Sequence, residues 1–211
     1  MKIALIIAAG GAGKRFGQNK QLFLYQGKPL IVHTIEKFQK QKIDQLIIVA
    51  GAVPQFAKML KKYKIKYDTL VPGGPERCGS VRRGLAVVRQ DITHVMIHDG
   101  ARPNVTGSLL ARLRKALRLH PAVIPVIPVT DTVKIVRKGR VAATPPRAEL
   151  YAAQTPQCFR KEIICRAYAA VNPRGCTDDA MLAEKYGVPV VTIPGEIGNI
   201  KITTKADLRL F

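Results

Sequence analysis

The sequence predicts an α/β fold, a mostly parallel sheet with helices on both faces. Short apolar runs alternate with segments of helical periodicity, the pattern of repeated β-α units. The first run, Ile3 to Ala9, is almost purely apolar, as a strand buried on both faces must be. It breaks directly into Gly10-Gly11-Ala12-Gly13-Lys14-Arg15-Phe16-Gly17, with Lys20 just beyond. A buried strand that ends in glycines and cations is how such folds bring backbone N–H groups close to phosphate.

The 211 residues fit one domain, 1–211, long enough to bury a core without staples. After the glycine loop, Pro29 suits the first turn of a helix to about Lys40, with Leu30, Ile31, Thr34, Ile35 and Phe38 on one face. Leu46 to Ala50 reads as a strand, Phe56 to Tyr63 as a helix and Lys66 to Val71 as a strand ended by Pro72-Gly73-Gly74-Pro75. Ser80 can cap a helix through Gln90, and His94 to Ile97 is a strand ending on His98-Asp99-Gly100-Ala101-Arg102-Pro103. Thr106 and Ser108 offer caps for the helix Leu109 to Leu119. The prolines of Ala122 to Val129 place that strand near an edge or a bend.

Thr130 to Pro146 interrupts the alternation. Thr132 to Val136 and Val141 to Thr144, joined through Lys138-Gly139-Arg140, predict a β-hairpin with little to bury by itself. Helices follow at Lys161 to Val171 and Asp178 to Tyr186, then strands at Val188 to Ile193 and Asn199 to Ile202. Thr204 with Asp207 forms a capping box for a last helix.

Two phosphate-binding patterns fail on the glycine loop. Lys14 is followed by Arg15 where a Walker loop needs Ser or Thr, and Phe16 stands where the third glycine of G-x-G-x-x-G belongs. The polar clusters at predicted strand ends nevertheless share one edge of the sheet, where open α/β folds bind ligands. Each also has a plainer reading: Asp99 as a turn residue, Arg102 as a solvated cation, Ser80 as a cap, Thr155 as a turn before Pro156, Lys201 as an outward strand residue. His94 and His98 read as structural.

The 35 Lys and Arg against 14 Asp and Glu give a formal charge of +21, which attracts polyanions and small phosphorylated substrates alike. The cations are spread along the chain, with no long arginine tract and no evident interleaving with aromatics, so nucleic acid is not expected as a partner. Cys78, Cys158, Cys165 and Cys176 show no metal spacing and read as reduced thiols of a cytoplasmic protein. No apolar run approaches the roughly 20 residues of a membrane span.

Eight segments, taken in order, resemble the 2-C-methyl-D-erythritol 4-phosphate cytidylyltransferase family, nucleotidyltransferases of the non-mevalonate isoprenoid pathway. They are Ala8-Ala9-Gly10 through Arg15, Lys20-Gln21, Gly73-Gly74-x-x-Arg77-x-x-Ser80-Val81, and His98-Asp99-x-Ala101-Arg102-Pro103. They continue with Asp131-Thr132-Val133-Lys134, Gln154-Thr155-Pro156-Gln157, Thr177-Asp178-Asp179-Ala180 and Asn199-Ile200-Lys201-Ile202-Thr203.

The resemblance implies a single-domain, Rossmann-like nucleotidyltransferase fold in which residues 130–146 form a β-arm that dimerises and reaches the partner's site. It implies that Arg15 and Lys20 stabilise the transition state at the α-phosphate of CTP. Ala8, Ala9, Gly10, Gly11, Gly13, Gly74 and Ser80 would contact the nucleotide, and Asp99 the ribose and Mg²⁺. Arg102, Thr132 and Thr155 would line the methylerythritol phosphate pocket, where Arg147 and Lys201 hold the attacking phosphate. The loop is one residue longer than the common pattern and the Arg15-to-Lys20 spacing two shorter, so Lys14 is the alternative to Arg15. Asn19, Gly100 and Tyr151 also depart from the family's usual residues.

Such a reaction suits these residues, because a phosphate monoester is dianionic enough near neutral pH to attack without a general base. The rest of the task is electrostatic. A ribitol 5-phosphate cytidylyltransferase would share the fold and the nucleotide loop, differing around Thr132, Arg147 and Thr155. A basic RNA-binding protein would also account for the charge, against which the intact cation set speaks.

Overall fold

The computed structural model describes residues 1–11, 16–17 and 19–211. In chain order the strands and helices are β1 (Ile3–Ala9), β2 (Leu24–Tyr25), β3 (Lys28–Pro29), α1 (Leu30–Gln39), β4 (Gln45–Ala50), α2 (Val53–Lys62), β5 (Thr69–Pro72), α3 (Arg77–Ala86), β6 (His94–Asp99), α4 (Gly107–Leu117) and β7 (Ala122–Pro128). They continue with β8 (Ile135–Arg137), β9 (Arg140–Ala143), β10 (Tyr151–Ala153), β11 (Gln157–Arg160), α5 (Lys161–Ala170), α6 (Asp179–Lys185) and β12 (Val191–Pro194).

An eight-stranded sheet in the order β10-β7-β11-β6-β1-β4-β5, with β12 also on β7, organises the chain. β1, β4, β5, β6, β7 and β12 run one way, and β10 and β11 run against them. The period-2 pleat of β1 divides the core. Ile3, Leu5 and Ile7 pack with α1, α2 and α4 on one face, and Ile6 packs with α3, α5 and α6 on the other. Each of these aliphatic side chains is at most 1% exposed. Burial of each contributes about 1.5–3 kcal/mol. The expected α/β sheet with helices on both faces is therefore present.

Several boundaries differ from expectation. Pro29 ends β3 and occupies the position before α1, its extended ψ of 141° keeping it out of the helix. β5 starts at Thr69, after a backbone bond from Asp68 N–H to Leu46. The third helix begins at Arg77, so Ser80 lies inside its first turn and does not cap it. β7 is interior: Val123 pairs with both Cys158 and Val191, and Val126 with both Ala153 and Pro194. Pro125 lacks an N–H, yet its carbonyl still accepts from Gln154 N–H at 2.8 Å, so the ladder survives the proline.

Asn199 to Ile202 is not a strand. Its backbone is held instead by Ile202 N–H to the Ala101 carbonyl at 2.9 Å. The last helix is a short 3₁₀ segment, Ala206–Leu210, and the Asp207 carboxylate reaches back to the N–H groups of Thr203 and Thr204 at 2.7 and 2.8 Å. β2 with β3, and the antiparallel β10 and β11, are short elements that periodicity did not indicate. The inserted hairpin is present as β8 and β9, with Lys138 and Gly139 at φ 49° and 76° making its turn, and every residue of both strands is exposed. No helix among the described residues is long and apolar enough to cross a membrane.

Candidate active site

β1, β4, β5 and β6 all deliver their carboxyl ends to one edge. Ala8, Ala9 and Gly10 leave β1 there, and the Ala8 carbonyl accepts from Gly100 N–H at 3.0 Å. Gly10 lies so close to Gly73 and Ser80 that a Cβ on it would come within 2.8 Å of Ser80 Oγ and 3.2 Å of Gly73 Cα. Only glycine permits that approach, which leaves a backbone-lined floor open to a ligand. Ser80 Oγ accepts from Gly74 N–H at 3.0 Å and donates to the Glu76 carbonyl at 3.1 Å, tying the Gly73–Glu76 turn to α3. Gly11 is exposed at the mouth of this floor. Gly13, Lys14 and Arg15 lie outside the described residues.

Asp99, the last residue of β6, is the hub of the edge. Its Oδ1 meets Arg77 Nε at 3.1 Å, and its Oδ2 meets Lys201 Nζ at 2.7 Å and Arg102 Nε at 3.7 Å. Burial alone would raise its pKa, but Arg77, Lys201 and Arg102 outweigh it and hold the carboxyl well below the usual carboxylate range. Asp99 is thus no mere turn residue. Arg102 is no solvated cation either, with a side chain only 11% exposed and Nη1 donating to the Asn199 carbonyl at 2.7 Å.

Thr155 supports the hub from below. Its Oγ1 accepts from Asp99 N–H at 3.1 Å and lies 3.0 Å from His98 Nδ1. His98 Nε2 faces the Arg102 carbonyl at 3.0 Å, so Nε2 carries the proton and Nδ1 receives the Thr155 hydroxyl hydrogen. Burial keeps this ring neutral, lowering its pKa from 6.5 to about 4. The unfolded chain binds more protons between those values, so His98 adds stability that is complete above pH 6.5 and lost as pH falls toward 4, on the order of 3 kcal/mol. Urea unfolding at both ends of that window should therefore show a steeper pH dependence for the native protein than for His98→Gln. Equal slopes would refute the assignment.

The remaining cations reach the edge through the C-terminal segment. Gln154 grips Glu196 by both main-chain groups, accepting from its N–H at 3.1 Å and donating to its carbonyl at 2.8 Å. Asn199 Nδ2 donates to the Thr155 carbonyl at 2.9 Å. Together they deliver Lys201 to Asp99, and Lys20 Nζ donates to the Ile202 carbonyl at 2.9 Å. Ile202 itself packs with Phe16 and Leu30, which ties the far end of the glycine loop to the same segment.

Thr132 and Arg147 are not brought to this cluster. Both are exposed at the base of the hairpin, where Arg147 Nη1 donates to the Thr130 carbonyl at 3.0 Å. Conversely, the sequence by itself gives no role to Arg77, Asp179, Tyr168, Gln154 or Asn199. Arg77 bridges Asp99 and the fully buried Asp179, whose Oδ1 also accepts from the Tyr168 hydroxyl at 2.6 Å. All but Tyr168 stood inside the eight ordered segments, which was the available signal.

No group of three acidic, histidine or cysteine side chains that could cage a metal occurs among the described residues. Asp99 has both oxygens on cations already. A divalent ion held here would share Asp99 with these cations and would need a bound polyphosphate to supply its other oxygens.

A glycine-floored strand end beside a cation-loaded aspartate defines a nucleotide-handling site of the nucleotidyltransferase class. Comparison with known proteins gives the family. Residues 3–211 match the family described as IspD: 2-C-methyl-D-erythritol 4-phosphate cytidylyltransferase. The chain is 42% identical to the protein of that name from Frankia casuarinae, over 99% of this chain and 79% of the relative. It is 41% identical to the one from Syntrophus aciditrophicus, over 99% and 94%. The crystal structure of 4-diphosphocytidyl-2C-methyl-D-erythritol synthase from Anaerococcus prevotii superposes with a TM-score of 0.84 at 31% identity, covering 99% of this chain and 93% of that one. The cytidylyltransferase from Thermus thermophilus gives 0.81 at 29% identity, covering 100% and 97%. The chain belongs to the IspD family.

Proposed function

We propose that this enzyme transfers CMP from CTP to 2-C-methyl-D-erythritol 4-phosphate, releasing pyrophosphate, as a step of non-mevalonate isoprenoid synthesis. The observation that carries the reading is the Asp99 hub, with Arg77, Arg102 and Lys201 on one carboxylate beside the Gly10–Gly73 floor. A phosphate oxygen of the acceptor attacks the α-phosphorus of CTP. The new bond forms as the α–β bridging bond breaks, and its electron pair leaves with pyrophosphate. Lys201 and Arg102 offset the charge of the incoming phosphate, and Lys20 with Arg15 or Lys14 and the loop N–H groups hold charge at the α-phosphorus. Thr155 keeps Asp99 oriented, and Ala8, Ala9, Gly10, Gly11, Gly13, Gly74 and Ser80 shape the nucleotide floor. Mg²⁺, bound through Asp99 and the nucleotide phosphates, would neutralise polyphosphate charge. Four free cysteines support a reducing, cytoplasmic setting. With Mg²⁺, CTP and methylerythritol phosphate, the folded protein should release pyrophosphate well above a no-enzyme control, and faster than with ribitol 5-phosphate. Absence of release would defeat the reading.

Thr132 and Arg147 complete a site only if they come from elsewhere. We infer a twofold dimer in which residues 130–146 cross to the partner and deliver them there. Support comes from the arm's exposed Ile135, Val136 and Val141, at 44%, 57% and 62%, which gain burial on association. Each inactive variant, Lys20→Ala or Arg147→Ala, lacks a different half of a composite site. On subunit exchange, half the dimers are mixed and each holds one intact site, so roughly a quarter of native activity should return. Verified exchange without recovery would place Arg147 in its own protomer's site.

A further inference from the structure

The charge of +21 is far more than the active-site edge uses, and the opposite edge of the sheet accounts for a dense part of it. Its acids are already committed. Asp44 accepts from Ile3 N–H at 2.8 Å at the start of β1, and Asp68 accepts from Leu46 N–H at 2.7 Å and pairs with Arg89 at 3.2 Å. Asp91 pairs with Lys2 at 2.9 Å and Arg89 at 3.3 Å. Unlike Lys2, the lysines at the end of α2 and just beyond it have no acidic partner among the described residues. Residues 61–67 read Lys-Lys-Tyr-Lys-Ile-Lys-Tyr, which corrects the expectation that cations and aromatics do not interleave. Lys61, Lys62, Lys64 and Lys66 are all exposed, and none has an acidic partner within 4 Å among the described residues.

A cleft of about 500 Å³ opens beside them, lined by Lys64, Lys66, the exposed Tyr67 and the Arg89-paired Asp68, with Phe38, Ile43 and Gln41 behind. It lies at the amino ends of β1, β4 and β5, one strand length, roughly 20 Å, from Asp99. We propose that this edge binds single-stranded RNA, with backbone phosphates on Lys61, Lys62, Lys64 and Lys66 and a base entering the cleft against Tyr67. A concave basic groove with an aromatic wall suits a flexible strand of phosphates and bases. A membrane surface is a poorer match, since the aliphatic residues Met59, Leu60 and Ile65 are all turned into the core and leave nothing to insert.

The test is fluorescence anisotropy of a labelled oligouridylate of about twelve nucleotides with the full-length protein at roughly 50 mM salt. Four phosphate contacts on a single strand give a log–log salt slope of roughly −3. The exchange of all four lysines for glutamine should weaken binding at least ~10-fold and remove most of that slope. Tyr67→Ala should weaken oligouridylate binding several-fold while leaving heparin binding unchanged. Both variants should release pyrophosphate from CTP at the native rate, and saturating CTP should not displace the RNA. Absence of saturable binding, equal affinity in the variants, or displacement by CTP would overturn the proposal. So would an equal effect of Tyr67→Ala on heparin, or stronger binding to anionic lipid vesicles than to RNA. Should the fourfold variant fail to fold, Lys66→Gln and Tyr67→Ala, judged by the same outcomes, decide it.

Discussion

Replacing Lys20 by alanine should lower turnover by on the order of 10²-fold or more and leave the fold intact. That is the scale for removing one preorganised charge contact at a transition state. Lys20 is half-buried at the start of a 3₁₀ turn, with Asn19 capping Gln21 N–H, so its backbone is fixed independently of its ammonium group. The ammonium group donates to the Ile202 carbonyl, one residue from Lys201 and its contact with Asp99. A phosphate is a stronger partner for an ammonium ion than a carbonyl, so incoming CTP would compete with the Ile202 carbonyl for Lys20 at the reacting phosphorus. Because the charge on that phosphorus grows as the reaction proceeds, kcat should fall more than KM rises. Steady-state kinetics, with circular dichroism to verify folding, would test it. A variant within a few-fold of native turnover would make Lys20 a structural anchor of Ile202.

The sequence displayed the sheet because β1 and β4 are buried on both faces, and burial writes itself as an apolar run. It hid β10 and β11, which hold three and four residues and whose pairing depends on β6 and β7, distant in the chain. It misjudged β7 because proline removes a donor but keeps its carbonyl, and Pro125 needed only the carbonyl. Asp99, Arg102, Thr155 and Lys201 were legible as polar residues after apolar runs. Their convergence was not, since Lys201 arrives through Gln154 and Asn199, long-range contacts with no local signature. Arg77 stands inside one of the eight segments but has no legible role there for the same reason: only the fold brings Asp179 beneath it.

That buried bridge should give the largest stability effect in the molecule. Arg77 Nε meets Asp99 at 3.1 Å and Nη2 meets Asp179 at 2.8 Å, so one planar guanidinium spans two carboxylates. Asp179 is 0% exposed, and Tyr168 OH and the bridge are its side-chain partners among the described residues. Arg77→Met keeps much of the side-chain volume but strands a buried carboxylate, a loss of about 3–5 kcal/mol, or roughly 10 °C in Tm for a chain of this size. Arg77→Lys keeps the charge, yet a single ammonium lacks the fork needed to hold both carboxylates, so it should recover only part of the loss. Asp179→Asn on top of Arg77→Met removes the stranded charge, and the double variant should be more stable than Arg77→Met alone by at least ~1 kcal/mol. Activity should separate from stability: the double variant regains the fold, but Asp99 still lacks its Oδ1 partner, so kcat/KM stays depressed. Urea unfolding and kinetics on the three variants decide the matter. Additive losses, or an Arg77→Met protein within ~1 kcal/mol of the native one, would show that water reaches Asp179 and that the bridge is no more than a surface ion pair.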